Sequence, residues 1–432
     1  MGVITHRTAL AQGLTGAPAW FEDAGELAIL RVAGGSGYGS AWQNGSRIND
    51  VAASPVTFPG INGLEGIAGI MNDWTGGCAY QAGKQLLLPA QGGHYGYRGN
   101  EVYALRLGQD VPAWYRLNDP TATPTLTALD HDFNTPYTGF SDGSPGTTHG
   151  WFSVFCTTAG RIVMTFFDDD PDGEYTTECF SIDVNNLGAG WTFHGRLWNP
   201  WPGPANSWFI YQSGPGAYDA VNNVIYRAAE GAVDDPAKGI AKIDVATMLA
   251  AGGQNTSTGP QTPGVTHYGN EGWGSSSTTG LGDAWSVILD DMTPPCWVCG
   301  ATKSGELRLW IRDLSSPSSS WTLKTTSGSP TGFISAANAV YHKPSNSILV
   351  WGEECGATLY KLAITGSNPL TATYVWSIVS LTGTAPAADA GYNGTYGKMQ
   401  MIEDMGNGQS ALVLATQVGA PSYVVKLPAA GV

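Results

Sequence analysis

The chain has 432 residues, of which 42% are hydrophobic and 13% are charged, against about 25% charged residues in an ordinary globular domain. Its 20 basic and 35 acidic residues give a formal charge of -15, which repels nucleic-acid phosphates and anionic membrane surfaces. These values argue against nucleic-acid binding, and no run of about 18 apolar residues predicts membrane insertion. The low charge together with 59 glycines and 26 prolines is typical of a turn-rich β protein.

A repeat of apolar strands runs through most of the chain. The second strand of each unit begins near residues 86, 161, 224, 296, 348 and 411, so the mean spacing is about 65 residues. A short apolar stretch precedes each of these strands, and an alternating strand and a further strand follow most of them. Four-stranded sheets in radial array, which hide most sheet edges, are the hallmark of a propeller. The sequence therefore predicts a single all-β propeller domain over residues 1–432, with about six blades and seven as the alternative.

The last unit of the repeat lacks its fourth strand, because only five residues follow Leu427. At the other end of the chain, residues 27–32 form an apolar run, Leu-Ala-Ile-Leu-Arg-Val, with no pairing partner nearby in sequence. We expect this segment to complete the last blade, because an unclosed ring would leave two open sheet edges. Residues 33–70 are rich in Gly, Ser and Asn and predict a long irregular excursion.

Two segments of the first unit carry a family resemblance. Residues 72–77, Asn-Asp-Trp-Thr-Gly-Gly, and residues 92–103, Gly-Gly-His-Tyr-Gly-Tyr-Arg-Gly-Asn-Glu-Val-Tyr, resemble the opening blade of kelch-like propellers found in tailed phages and their bacterial relatives. The resemblance covers roughly residues 70–117, and later units depart from it. The resemblance implies a virion or surface location. It also implies other virion or surface proteins, or a host glycan, as partners, and assembly of the protein into a symmetric multimer as one possible oligomeric state.

The leading expectation is a non-enzymatic structural or binding propeller, such as a phage tail, fibre or capsid-decorating protein, with no catalytic residues. One alternative is a glycan-active hydrolase or lyase that uses carboxylates at the propeller mouth, for example Asp234 with Asp235 or Glu353 with Glu354. A second alternative is a bacterial extracytoplasmic kelch protein that binds a partner. Outside a virion, the expected location is extracellular or at the cell surface, although no secretory signal is visible.

An acidic segment is the candidate metal site. Asp168, Asp170 and Asp172 alternate and are followed by Gly173, a spacing that can bring several oxygens around one Ca²⁺ ion. Position 12 of an EF-hand loop would be Cys179, so the pattern predicts a looser β-loop calcium site. The alternative interpretation is a solvated acidic hairpin tip.

Three tryptophans form the candidate ligand-binding segment. Trp198, Trp201 and Trp208 lie in a Pro/Gly-rich loop between the second and third units, where rigid rings suit a sugar face or a protein partner. Packing between blades is the alternative.

The glycine-rich turn of the first unit is interpreted as structural. Gly92 and Gly93 allow left-handed backbone, and the polar side chains of His94, Asn100 and Glu101 are expected to satisfy buried turn groups. A His/Glu acid–base pair is the functional alternative.

Overall fold

The computed structural model describes the strands of every repeat and part of the connections between them. The described residues are 16–32, 47–54, 69–71, 75–90, 97, 99–121, 144–145, 150, 152–167, 177–197, 214–228, 238–252, 262–271, 284–303, 306–328, 337–352, 355–386 and 395–432. These residues form six antiparallel four-stranded blades arranged around one channel, which confirms the predicted all-β propeller and its six blades.

The elements follow the repeat closely. The N-terminal part supplies helix α1 (Ala19–Glu22) and strand β1 (Ala28–Val32). Blade 1 consists of β2 (Cys78–Tyr80), β3 (Gln85–Pro89), β4 (Val102–Arg106) and β5 (Ala113–Arg116). Blade 2 consists of β6 (Val154–Cys156), β7 (Arg161–Phe167), β8 (Thr177–Asp183) and β9 (Thr192–Arg196). Blade 3 consists of β10 (Gly216–Asp219), β11 (Val224–Ala228), β12 (Lys238–Asp244) and β13 (Val265–Glu271), with helix α2 (Val245–Ala250) after β12.

Blades 4 to 6 continue the pattern. Blade 4 consists of β14 (Trp285–Leu289), β15 (Cys296–Lys303), β16 (Glu306–Asp313) and β17 (Thr322–Lys324). Blade 5 consists of β19 (Asn338–His342), β20 (Ser347–Trp351), β21 (Thr358–Thr365) and β22 (Thr373–Ser380). Blade 6 consists of β24 (Met399–Ile402), β25 (Ala411–Leu414), β26 (Ser422–Lys426) and β1. Two short strands, β18 (Thr326–Ser327) and β23 (Thr382–Gly383), pair in parallel with the outer strands of blades 5 and 6. Both therefore cover part of an outer sheet edge.

The ring is closed by the N-terminal strand. β1 pairs antiparallel with β26, with Ile29 opposite Val425 and Arg31 opposite Tyr423, so it is the outer strand of blade 6. This confirms the expected closure of the ring by the segment of residues 27–32. The strand itself begins at Ala28, one residue after Leu27, which has a positive φ of 55°. The first and the last strand in chain order, β1 and β26, thereby belong to one sheet.

The core consists of six apolar clusters, one in each seam between neighbouring blades. The second strand of a blade lies between two other strands and is packed on both faces, so β20 and β25 are buried at every position. Tryptophans fill several seams, and Trp114 also donates its Nε1–H from blade 1 to Oγ of Ser422 in blade 6 at 3.0 Å. Among the described helices, none is long and apolar enough to cross a bilayer.

The turn between the first and second strands has a common backbone feature. In four blades the residue just before the second strand has a positive φ: Lys84 (50°), Gly160 (80°), Asn223 (54°) and Asn346 (43°). Glycine and asparagine tolerate this left-handed conformation better than most residues. The turns are consequently tight, and they bring the ends of the six inner strands to one face of the ring.

Candidate functional site

The inner strands of all six blades surround a central channel. Its cavity of about 260 Å³ is lined in the middle by small and apolar side chains, among them Ala79, Val154, Ala217, Val287 and Ala339. Pockets for drug-sized ligands measure roughly 300–1,000 Å³, so this volume suits a smaller ligand such as a single sugar ring.

One end of the channel is formed by the turns between the first and second strands, and we call it the turn mouth. Every blade contributes one residue there, in blade order Gln81, Thr158, Ala220, Asp290, Lys343 and Glu403. The three charged side chains among the lining residues, Asp290, Lys343 and Glu403, all lie at the turn mouth.

A lysine among carboxylates dominates the charge of the turn mouth. Nζ of Lys343 donates to Oδ2 of Asp290 across the seam between blades 5 and 4, at 2.8 Å. Burial lowers the pKa of Lys343, but the hydrogen bond to Asp290 and the charges of Glu403, Asp290 and Asp291 outweigh it and leave the pKa above its ordinary value. One ammonium thus faces three carboxylates, so the turn mouth carries a net negative charge.

Two tyrosines at the turn mouth are fixed by the asparagines of the tight turns. The hydroxyl of Tyr218 donates to Oδ1 of Asn223 at 2.8 Å, and that of Tyr341 lies 3.0 Å from Oδ1 of Asn346 and 2.8 Å from Oδ1 of Asp291. Burial, followed by the bond to Asp291, raises the pKa of Tyr341. Tyr218 is half-buried on the channel wall, so part of its ring is open to a ligand.

The seam between blades 6 and 1 holds the rest of the turn mouth in place. Gln81 donates Nε2–H to the carbonyl of Met401 at 2.8 Å and accepts the backbone N–H of Glu403 at 2.9 Å. Gln400 donates to the carbonyls of Gly77 and Gly397, each at 2.9 Å. The backbone that carries Glu403 is therefore rigidly placed, while its carboxylate is exposed.

Most residues singled out in the sequence lie outside the described residues: Asp168, Asp170, Asp172, Trp198, Trp201, Trp208, Gly92, Gly93 and His94, and the carboxylate pairs Asp234 with Asp235 and Glu353 with Glu354. The calcium loop and the tryptophan loop stay predictions. Within the described part of the chain, no group of three or more His, Cys, Asp or Glu side chains is placed to hold a metal ion.

Asn100 and Glu101 are both buried at the start of β4. Asn100 donates to the hydroxyls of Thr121 and Ser144, at 2.7 and 2.6 Å. Oε1 of Glu101 accepts from the hydroxyls of Tyr97 and Tyr103, at 2.6 and 2.5 Å. Burial raises the pKa of Glu101 above its ordinary value. Oδ1 of Asn100 also accepts the backbone N–H of Thr121 at 3.1 Å, so Asn100 is bonded both to side chains and to backbone.

The turn-mouth residues were missed in the sequence, although a signal for them exists. Asp290, Lys343 and Glu403 each directly follow the last residue of an inner strand, as Gln81 and Ala220 do. In a propeller these positions encircle the channel. Alignment of the repeats on the ends of their first strands would therefore have found them.

No family model and no curated protein matches the sequence. Solved structures share its architecture at low identity. An α-L-arabinofuranosidase from Fusarium graminearum, bound to an iminosugar inhibitor, has 9% identity and a TM-score of 0.45 over 90% of this chain and 98% of its own. A glucose dehydrogenase has 9% identity and a TM-score of 0.42, over 83% and 97%. An aldose sugar dehydrogenase from Escherichia coli has 10% identity and a TM-score of 0.40, over 83% and 96%.

These three neighbours are enzymes named for sugars and none is named as a virion component, so the comparisons do not bear out the expected non-enzymatic virion component. The physical reason for the error lies in the motif on which it rested. In the first unit, Asn100 and Glu101 are buried and hydrogen-bonded to neighbouring side chains, so the motif specifies packing, and a fold does not imply a function. At these identities the likeness concerns the fold alone, and the kelch-like resemblance has no counterpart in the comparisons.

Proposed function

We propose that this propeller is a glycan-active hydrolase whose turn mouth takes one sugar ring. The observation that carries the proposal is the ring of one residue per blade, in which Lys343 lies among Asp290, Asp291 and Glu403 at the turn mouth. Hydrolysis of a glycosidic bond commonly uses two carboxyl groups on opposite sides of the scissile bond. Asp290 and Glu403 are the two carboxylic acids among the residues that line the channel, and they lie on blades 4 and 6, so we assign these roles to them.

The other groups at the turn mouth suit a sugar ring. Carboxylates accept hydrogen bonds from hydroxyl groups, and the partly open ring of Tyr218 offers an apolar face to the C–H face of a pyranose or furanose. The cavity of about 260 Å³ leaves room for one ring, so the remainder of the glycan would extend into solvent. This geometry favours action at the end of a glycan chain.

Each carboxyl group has a distinct role in this mechanism. Glu403, whose side chain is exposed, is assigned as the group that donates a proton to the leaving glycosidic oxygen. Asp290, held by Lys343 at 2.8 Å, accepts a proton from the water that attacks the anomeric carbon. The glycosidic C–O bond breaks as the bond to the water oxygen forms. This is the inverting mechanism, in which one carboxyl group acts as the acid and the other activates the attacking water.

The charge of the site restricts the glycan. Lys343 is already engaged by Asp290, and the turn mouth and the whole chain are both negative. Uronic acids and sulfated sugars would therefore be repelled. The substrate class we assign is a glycan with neutral sugars at its end.

The test is a screen of neutral and acidic polysaccharides for release of reducing sugar. Asp290→Asn and Glu403→Gln are each expected to lower turnover of the best substrate by about 10²–10⁴-fold, because each removes a proton-transfer group. Asp110→Asn is the matched control, because Asp110 is exposed on the same face of blade 1 but outside the channel. Absence of turnover on every glycan, or full turnover by Asp290→Asn, would refute the proposal.

A further inference from the structure

One outer strand of the ring differs from the other five in its residues. β22, the outer strand of blade 5, reads Thr-Tyr-Val-Trp-Ser-Ile-Val-Ser over residues 373–380 and contains no charged residue. Each of the other outer strands, within its described bounds, contains an arginine, a lysine or a glutamate: Arg31, Arg116, Arg196, Glu271 and Lys324. Charged side chains are a common means by which proteins keep a sheet edge from pairing with another chain. The outer strand of blade 5 lacks this protection.

The outer side of β22 is covered at its start and open at its end. β18 pairs in parallel with Tyr374 and Val375. The chain then bends at Gly328, which has a φ of 66° and lies against the carbonyl oxygen of Trp376. Among the described residues, no strand pairs with the outer side of residues 377–380. We call this part of the strand the β22 edge.

Two contacts show which backbone groups the β22 edge presents. The carbonyl oxygen of Trp376 lies against the chain that follows β18, so it points away from β21. The N–H of Leu381 donates to the carbonyl of Ala357, the residue before β21, at 2.8 Å, so it points toward β21. The backbone groups of successive residues in a strand point to alternate sides. Ile378 and Ser380 therefore direct their N–H and C=O groups to the open side.

We propose that the β22 edge binds the same edge of a second copy of this chain, so that two propellers form a twofold dimer. In antiparallel pairing centred on Val379, Ile378 of one protomer lies opposite Ser380 of its partner, and Ser380 lies opposite Ile378. In such opposed pairs the two residues exchange both backbone hydrogen bonds. This register thus uses every outward N–H and C=O group of Ile378 and Ser380.

The distribution of charge favours a second copy at this edge. Twofold pairing of a strand with itself brings the same surface of both copies together, so a charged strand faces its own like charge. The β22 edge avoids that repulsion, although the chain as a whole carries a charge of -15 and repels its copies elsewhere. The side chain of Ile378 is 48% exposed, so pairing also removes apolar surface from water.

The test is analytical ultracentrifugation of the whole protein over a range of protein and salt concentrations. The expected result is a reversible dimer whose fraction rises with protein concentration. The fraction should also rise with sodium chloride, because salt screens the repulsion between two acidic copies. Hydrogen exchange should show that the amides of residues 377–380 are protected in the dimer and exchange in the monomer.

Two variants address the β22 edge directly. Ile378→Lys places like charges against each other across the twofold axis and should weaken the dimer at least about tenfold. Ser380→Pro removes an outward N–H without adding charge, and it should weaken the dimer as well. Leu323→Lys is the matched control, because Leu323 is 57% exposed on β17, the outer strand of blade 4. It should dimerise as the wild type does, and thermal unfolding checks that each variant is folded.

Three results would overturn the proposal. The first is a wild-type protein that is monomeric at every concentration, or whose dimer leaves residues 377–380 unprotected. The second is a folded Ile378→Lys or Ser380→Pro protein that dimerises as tightly as the wild type. The third is protection of the β22 edge only after a different protein is added, which would assign the edge to another partner. None of these measurements depends on glycan hydrolysis.

Discussion

Nζ of Lys343 lies 2.8 Å from Oδ2 of Asp290, and this ion pair joins blade 5 to blade 4 at the turn mouth. The side chains are 37% and 12% exposed, so the pair is only partly shielded from solvent. Its main effect is therefore on the position of the Asp290 carboxylate, since pairs this exposed contribute little to stability.

Lys343→Met separates these two effects. We expect a loss of at most about 1 kcal/mol in the free energy of unfolding, because solvent screens the pair. Turnover should fall at least about tenfold, because a correctly positioned proton acceptor accelerates the reaction by more than that factor. Arg47→Met is the control, since it breaks an exposed ion pair with Asp50 of 2.9 Å far from the channel. Urea unfolding and sugar release measure both variants, and equal turnover in both would show that Lys343 does not position Asp290.

The buried carboxyl of Glu101 should be important for stability. Glu101→Ala leaves the hydroxyls of Tyr97 and Tyr103 without their shared acceptor, at a cost of about 1–3 kcal/mol for each. Glu101→Gln keeps an acceptor oxygen and should cost less. Urea denaturation measures both. An Ala variant as stable as the Gln variant would mean that these two bonds contribute nothing.

His342 should make the protein less stable in acid. Burial, followed by the charge of Lys361, lowers the pKa of His342 to about 4, against 6.5 in an exposed histidine. Between these two values the unfolded chain binds a proton that the folded chain does not, so stability falls as the pH drops from about 6.5 to about 4. The loss amounts to up to about 3 kcal/mol for this one group.

The measurement is the free energy of unfolding at pH 7 and at pH 4.5 for the wild type and for His342→Asn. Asparagine can keep the contact that Nδ1 of His342 makes with Oγ of Ser345 at 2.8 Å. The wild type should lose more stability than the variant over this range. His194 and His267, whose burial also lowers their pKa values to about 4, are common to both proteins. Equal losses would show that His342 is not the titrating group.

Closure by β1 gives a comparison within one strand. Ile29 is buried between blades 5 and 6, whereas Arg31 on the same strand is exposed. Ile29→Asp is expected to cost about 3 kcal/mol or more, because it removes apolar burial and buries a charge. It should also cause aggregation through the freed edge of β26. Arg31→Asp should change stability by about 0.5 kcal/mol or less. Thermal unfolding and light scattering decide between these outcomes, and similar Tm values for the two variants would refute closure by β1.

The strands were predictable because their pattern is local. The second strands, expected near residues 86, 161, 224, 296, 348 and 411, begin at 85, 161, 224, 296, 347 and 411. Apolar runs bounded by turn residues suffice for that inference. The partner of residues 27–32 followed from counting strands and from the need to close the ring.

The turn mouth was not predictable in the same way. Asp290, Lys343 and Glu403 are single polar residues that follow apolar strands more than 50 residues apart, so no local motif marks them. Only the closed ring brings them together around one channel. The motif around Asn100 and Glu101 is compact in sequence, yet both side chains are buried and hydrogen-bonded to neighbouring side chains.

The most direct test of the account is a crystal structure of the Asp290→Asn variant with the neutral glycan that the wild type hydrolyses best. The account predicts density for a terminal sugar ring in the channel at the turn mouth, in contact with Tyr218, Glu403 and the substituted residue 290. A sugar bound at the opposite end of the channel, or on the outer surface of the ring, would contradict it.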